Sequence, residues 1–262
     1  MNIVGYGGGT NSTAMIIGLY RKGVPIDLIL FSDTGGEQPH TYEYLPIMDQ
    51  WLREHGMPPI TILEYTDRNG ERLTLEQECL RSGALPALVY GNKSCSLKHK
   101  VGTQQKFCNN HPECRKVWES GGRIVKFIGY DAGEEYRRAH AIVYDIQDKK
   151  YQNEYPLIDW GWFREDCIQA IQQEGLPLPG KSSCFFCPSM KRSEIRTLYH
   201  NHRDLYERAV AIEQNAKPNL VSVKGLGRSW SWEDFVQADK NQTAFCGLFP
   251  ENDMPCGCYD GE

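Results

Sequence analysis

The chain has 262 residues, a net charge of −5 and a mean hydropathy of −0.54, which suits one large α/β domain or a domain with an appendage. The net acidic charge argues against a general nucleic-acid-coating protein, although it is compatible with a local basic groove. No apolar run approaches the roughly 20 residues of a membrane helix, and the start of the sequence lacks a signal-peptide pattern. We therefore expect a cytoplasmic protein that does not enter a membrane.

A glycine-rich turn is the first feature along the chain. Asn2–Tyr6 predicts a strand, three consecutive glycines follow, and a helical pattern covers residues 14–21. Glycines let the backbone approach a ligand closely, and a helix N-terminus attracts phosphate. The turn predicts a phosphate or pyrophosphate site, or else a simple glycine turn with a Ser/Thr cap. Its residues are Gly7, Gly8, Gly9, Thr10, Asn11, Ser12 and Thr13.

Strands and helices alternate over the next stretch. Residues 27–31 read as a buried strand, 41–55 as a helix and 60–64 as a third strand. This alternation predicts a doubly wound, mostly parallel sheet of the Rossmann-like type. Ligands bind at the carboxyl edge of such sheets. The second strand ends there in the polar turn Ser32, Asp33, Thr34 and Gly35.

The remaining elements are less regular. We predict helices at 73–81, 162–174 and 189–216, strands at 123–129, 141–146 and 151–158, and an irregular stretch at 82–122. The strand at 123–129 leads into a charged loop that holds Asp131, Arg137 and Arg138. The expected division is an α/β nucleotide-binding domain at 1–180 and a helical or irregular cysteine-bearing module at 181–262.

Ten cysteines in a chain that we expect in a reducing compartment predict metal, cluster or redox chemistry rather than disulfides. Cys184-x-x-Cys187 precedes a helical pattern, and a helix N-terminus favours thiolate. A redox pair, zinc and iron–sulfur all fit this spacing. Cys95, Cys108 and Cys114 lie in the irregular stretch, whereas Cys246 belongs to the tail as either an attacking or an inert thiol.

The nucleotide-side motifs together resemble the sulfonucleotide reductases, which are the adenylylsulfate (APS) and phosphoadenylylsulfate (PAPS) reductases of the adenine-nucleotide α-hydrolase, or PP-loop, superfamily. Gly8, Gly9 and Ser12 match the superfamily loop Ser-x-Gly-Gly-x-Asp-Ser, with Asn11 in place of the aspartate. Residues 32–35 and 39–42 resemble the family's Thr-Asp-Thr-Gly and Pro-x-Thr-Tyr, and residues 156–160 resemble its Pro-Ile-x-Asp-Trp. The resemblance implies an adenine nucleotide as substrate: ATP, APS or PAPS.

The cysteines resemble those of the cluster-bearing reductases. Residues 94–100 are similar to Cys-Cys-x-x-Arg-Lys with Ser94 in place of the first cysteine, and residues 245–248 are similar to the C-terminal Glu-Cys-Gly-Leu-His. The resemblance implies an iron–sulfur cluster, expected as 4Fe-4S with zinc as the alternative. Its ligands would be Cys95, Cys184, Cys187 and Cys108, unless Cys114 or a tail cysteine is the fourth, or three cysteines leave an open iron site as in some tRNA-thiolating relatives.

Three functions follow from this resemblance. The first is an APS/PAPS-reductase-like enzyme with phosphates at residues 7–13 and adenine near residues 32–35. In it Arg137, Arg138 and Lys98 hold the sulfate and phosphates, Cys246 attacks the sulfur, and a thioredoxin-like reductant releases sulfite.

The second function is a sulfur-inserting ATP pyrophosphatase, similar to the enzymes of DNA phosphorothioation or tRNA thiolation. It would use magnesium, a sulfur donor and a nucleic-acid acceptor. The third is a non-catalytic nucleotide-binding module with a structural or sensing cluster. For each we expect a homo-oligomer.

Overall fold

The computed structural model describes residues 1–241 and 248–251. Its centre is a five-stranded sheet in the order β3-β2-β1-β4-β5, and all four neighbouring pairs are parallel. The strands are β1 (Asn2–Tyr6), β2 (Leu28–Asp33), β3 (Ile60–Glu64), β4 (Ile124–Phe127) and β5 (Tyr151–Glu154). The predicted α/β class with a parallel sheet is confirmed.

Helices surround this sheet and extend beyond one end of it. Those of the first half are α1 (Thr10–Arg21), α2 (Pro39–Glu54), α3 (Leu75–Ser82), the short α4 (Ser94–Ser96), α5 (Thr103–Asn110) and α6 (Pro112–Glu119). Those of the second half are α7 (Glu135–Asp145), α8 (Pro156–Asp159), α9 (Arg164–Gln173), α10 (Arg192–Asn201), α11 (Arg203–Ala216) and α12 (Trp232–Lys240). A π-helical turn, Leu97–Gly102, connects α4 to α5. Every helix in the described ranges is too short or too polar to traverse a lipid bilayer.

Both faces of the sheet are covered, because successive strand residues enter different cores. Val4 packs with α1, α2 and α9 residues on one face, whereas Ile3 packs with Leu30, Cys108 and Cys114 on the other. A third core lies beyond the sheet and joins residues of α3 to the Cys184–Cys187 turn and to α10, α11 and α12. The domain boundary at residue 180 stays a prediction.

The order of the strands fixes where a ligand would bind. The chain runs outward from β1 to β3 on one side and from β4 to β5 on the other, so the direction reverses between β1 and β4. Crevices form at such switch points, outside the carboxyl ends of the strands. The glycine turn and residues 129–138 both follow these two strands.

Several predicted elements differ from the structure. The strand predicted at 141–146, before the polar turn at 147–150, is wrong: these residues belong mostly to α7, and the neighbour of β4 in the sheet is β5. Only the first part of 151–158 is a strand, and 156–159 forms α8. The helix expected at 189–216 is interrupted at His202, whose φ of −137° is not helical. The irregular stretch 82–122 contains α4, α5 and α6.

Candidate functional site

The glycine turn lies at the predicted place, between β1 and the first turn of α1. Gly8 has φ of 83°, and a Cβ there would lie 2.9 Å from Thr41 Cγ2. Ser12 Oγ accepts a 3.3 Å hydrogen bond from Gly7 N, which closes the turn against the helix. Gly129, at the end of β4, passes so close that its Cβ would lie 3.1 Å from Ser12 N. Glycine is therefore required at two neighbouring strand ends, and the whole turn is buried.

Asn11, in the first turn of α1, is fully buried in a polar network. Its amide nitrogen donates to Asp131 Oδ2 at 3.0 Å and to Glu134 Oε2 at 3.2 Å, and its oxygen accepts from Arg164 Nη1 at 3.0 Å. Two carboxylates therefore face this position from the loop after β4. An aspartate here would add a third negative charge, whereas the neutral amide of Asn11 adds none.

The predicted sulfate-binding cations are all engaged by carboxylates. Arg137 Nη1 donates to Glu134 at 2.6 Å, and its guanidinium lies 4.0 Å from the centre of the Tyr130 ring. Arg138 pairs with Asp159 at 2.9 Å and also with Glu135. Burial raises the pKa of Glu134 despite its arginine partner.

Lys98 is occupied in the same way. Its ammonium lies 2.5 Å from Glu78 Oε1 and 4.9 Å from the centre of the Tyr65 ring. Glu78 also contacts His99 Nε2 at 2.6 Å, and these two partners lower its pKa against the effect of burial. Lys98 therefore forms a surface ion pair with Glu78 of α3.

The tip of β2 lies beside the turn that holds Cys184. Asp33 accepts hydrogen bonds from Gly35 N and from the Tyr42 hydroxyl, both at 2.7 Å. Burial and Asp33 together raise the pKa of Tyr42. The Thr34 hydroxyl donates to Glu37 at 3.0 Å and lies 3.3 Å from Cys184 Sγ. Ser32 Oγ donates to the Lys100 carbonyl at 3.2 Å.

Three of the four predicted metal ligands line one small cavity at this tip: Cys95, Cys184 and Cys187. The cysteine turn is short, since Cys187 N donates to the Cys184 carbonyl at 3.0 Å. Backbone hydrogen bonds from Gln38 N to Ser183 O (3.0 Å) and from Phe185 N to Gly36 O (2.8 Å) attach it to the residues after β2. The cavity therefore joins sulfur ligands from both halves of the chain.

The donor set of this cavity fits an iron–sulfur group. Thiolates are the ligands of such clusters, and the lining residues contribute three thiols and no carboxylate. Within the described part of the chain, no three His, Cys, Asp or Glu side chains form a group suited to one metal ion.

Cys108 requires a correction. It is buried with Cys114 against β1 and β2, in the core on one face of the sheet, whereas the other three cysteines belong to the core beyond the sheet. Burial and the neighbouring Cys108 raise the pKa of Cys114 to about 12, as expected for packed thiols. Cys108 is therefore outside the shared cavity. Cys246, the predicted nucleophile, lies outside the described residues.

Sequence inspection missed one group at the cavity and two near it. Lys100 lines the cavity, and its ammonium lies 3.1 Å from Glu37 Oε1. Cys79 of α3 is buried in the same core, and its pKa is raised to about 12 by burial and by nearby charges that include Cys95. The short sequence distance between Cys95 and Lys100 could have indicated that this lysine lies near the thiol. No sequence pattern indicates its pairing with Glu37.

Comparisons with known proteins add little to this geometry. No family model and no curated protein matches the chain. Among solved structures, the U34-tRNA thiolase NcsA of Methanococcus maripaludis, described with its 4Fe-4S cluster, is 14% identical with a TM-score of 0.40, and the match covers 82% of this chain and 72% of the thiolase. The fold class stated above follows from the sheet order and strand directions themselves.

Proposed function

We propose that this chain is a PP-loop-type, ATP-dependent sulfur-inserting enzyme with an iron–sulfur group held by Cys95, Cys184 and Cys187. The observation that carries the proposal is the convergence of these three thiols on one cavity beside the tip of β2. Ser94, where the reductases have a further cysteine, leaves three thiols in this set. When bound, the iron–sulfur group supplies a place where an inorganic sulfur atom is held before transfer.

The glycine turn is the proposed binding site for the phosphates of the nucleotide. The N-terminus of α1 carries partial positive charge, and Gly8 brings the backbone close to that point. Asp131 and Glu134 lie beside it, and their oxygens are the ligand type that Mg²⁺ prefers. An acceptor oxygen would attack the α-phosphorus of ATP and release pyrophosphate, and a sulfur nucleophile would then displace AMP. We propose a nucleic acid as the acceptor, by analogy with the thiolating relatives that the sequence resembles.

The geometry gives less support to the reductase. That function relies on Arg137, Arg138 and Lys98 for the sulfate and phosphates, and each of these cations is paired with a carboxylate. The reductase therefore serves as the competing outcome of the experiment below.

The experiment uses protein purified without oxygen. Iron, acid-labile sulfide and the visible spectrum are measured first, because an iron–sulfur group absorbs broadly near the blue. The protein is then given ATP, Mg²⁺ and sulfide with or without RNA or DNA, and pyrophosphate and acceptor-bound sulfur are measured.

We expect pyrophosphate release that increases with nucleic acid, together with sulfur in the acceptor. Cys184→Ser should abolish sulfur transfer, whereas the matched control Cys108→Ser should retain it. Sulfite from APS or PAPS with thioredoxin, without pyrophosphate from ATP, would establish the reductase instead. ATP binding without turnover at every acceptor would indicate a nucleotide-binding module.

A further inference from the structure

The cysteine cavity contains a buried cation. Lys100 lines the cavity together with Cys95, Cys184 and Cys187, and its side chain is only 7% exposed. Most of the other lining side chains are apolar, including Leu75, Leu88 and Phe186. A lysine is almost never buried without a compensating partner, so its position calls for a physical reason.

Glu37 holds this lysine from the side of the sheet. Its carboxylate is completely buried, and Oε1 lies 3.1 Å from Lys100 Nζ and 3.0 Å from the Thr34 hydroxyl. The second oxygen, Oε2, is buried without a hydrogen-bond partner among the described residues. In this ion pair the ammonium of Lys100 lies at the cavity wall, and the carboxylate of Glu37 lies behind it.

An ion pair in this arrangement creates a field in the cavity. Lys100 lines the cavity together with the thiols, whereas Glu37 is not among the lining residues and contacts the thiol side through the Thr34 hydroxyl. In surroundings of low polarity such a field is screened weakly. We propose that Lys100, positioned by Glu37, gives the cysteine cavity a preference for negatively charged occupants. This inference rests on the proposed function for the identity of that occupant, a thiolate-bound iron–sulfur group, which carries negative charge.

The preference is measurable on the thiols themselves, without any cluster. Cys95 is the half-buried thiol of the cavity and serves as the reporter. The full chain, freed of metal by chelation, is alkylated at one pH with iodoacetate or with iodoacetamide, and modification of Cys95 is followed by peptide mass spectrometry. The ratio of the two rates reports attraction of the anionic reagent, because both reagents use the same thiolate.

Removing Lys100 alone would leave Glu37 buried and unpaired, so the main variant is the double substitution Lys100→Met with Glu37→Gln. We expect its iodoacetate-to-iodoacetamide ratio to fall by about threefold or more. Glu37→Gln alone removes the negative charge that faces the ammonium, and we expect the ratio to rise above that of the native chain. Lys93→Met is the matched control, because Lys93 also lines the cavity but is solvent-exposed, and its ratio should change far less.

The inference is tested by comparing the iodoacetate-to-iodoacetamide ratios of the native chain and its variants. A ratio in the double variant equal to that of the native chain, or a fall as large in Lys93→Met, would overturn it. An absence of iron and of pyrophosphate release would contradict the proposed function instead, and the alkylation ratio is read on the same protein in either case.

Discussion

The cysteine cavity and the glycine turn lie at the same edge of the sheet, yet their polar groups are used differently. At the glycine turn, Asn11 makes hydrogen bonds on both ends of its amide, to two carboxylates and to an arginine. At the cavity, three thiols line one small space, and Glu37 retains a buried oxygen without a partner in the described chain.

This contrast separates two ways in which motif residues behave. Those at the glycine turn are engaged with one another, so a nucleotide would bind through the backbone and the helix N-terminus. Those at the cavity come from distant parts of the chain and line one shared space, as the residues of a binding site do. The following variants test that difference, starting with the largest expected effect.

Replacing a cavity cysteine should remove the iron–sulfur group entirely. Cys95→Ser, Cys184→Ser and Cys187→Ser each leave two thiols, too few for stable ligation. We expect loss of bound iron and of the absorption near the blue. Cys79→Ser and Cys108→Ser are the controls, and both should keep their iron; loss in Cys79→Ser would instead make Cys79 a ligand.

Lys100→Met alone should lower the free energy of unfolding by about 3–5 kcal/mol, since it leaves the Glu37 carboxylate buried and unpaired. Urea denaturation measures this. The double substitution with Glu37→Gln should recover most of the loss. If the single and double variants were equally unstable, the lysine would be stabilising the fold by packing rather than by charge.

Asn11→Asp should lower the free energy of unfolding by about 2–3 kcal/mol near pH 8, because it places a third carboxylate against Asp131 and Glu134. Burial already raises the pKa of Glu134, so the folded state binds more protons there than the unfolded state does. A further carboxylate at position 11 increases this difference in bound protons between the folded and unfolded states. Stability of the variant should therefore fall as pH rises above the ordinary carboxyl range and recover as pH decreases.

Asn11→Ser is the matched control for that substitution, because it removes the amide without adding charge. Its loss of stability should be similar at pH 5 and pH 8 when measured by thermal unfolding. A pH-independent effect in Asn11→Asp would mean that Arg164 neutralises the new carboxylate.

Gly8→Ala should have the smallest effect on stability, about 1–2 kcal/mol, from its left-handed φ and its 2.9 Å approach to Thr41. Gly56→Ala is the control, since Gly56 has φ of 67° but open space around it. Both should lose stability in urea, and Gly8→Ala should lose more. Only Gly8→Ala should weaken ATP binding by calorimetry; equal binding in both would contradict a nucleotide at this turn.

The sequence was most informative about elements that repeat a pattern. The apolar runs before the glycine turn and before Ser32 predicted the central parallel strands correctly, because buried strands of this kind are continuous and hydrophobic. It was least informative at 141–146, where a β-branched run lies in α7. There the pairing of β4 with β5 decided the outcome, and sequence propensity does not contain that contact.

Similar limits apply to the site. Chain order and local spacing were sufficient to select Cys95, Cys184 and Cys187, which the fold brings to one cavity. The partnership of Lys100 with Glu37 could not be read from the sequence, because it joins distant segments. It also depends on the π-helical turn Leu97–Gly102, which buries Lys100 while leaving Leu97 61% exposed.

The pairing of residues 36–38 with 183–185 has a mechanical consequence. Three backbone segments meet there: the end of β2, the start of α2 and the turn that holds Cys184. If the end of β2 shifts when a nucleotide binds, these hydrogen bonds will carry the sulfur atom of Cys184 along with it. A shift at the end of β2 would in this way reach a thiol that the proposed function assigns to the iron–sulfur group.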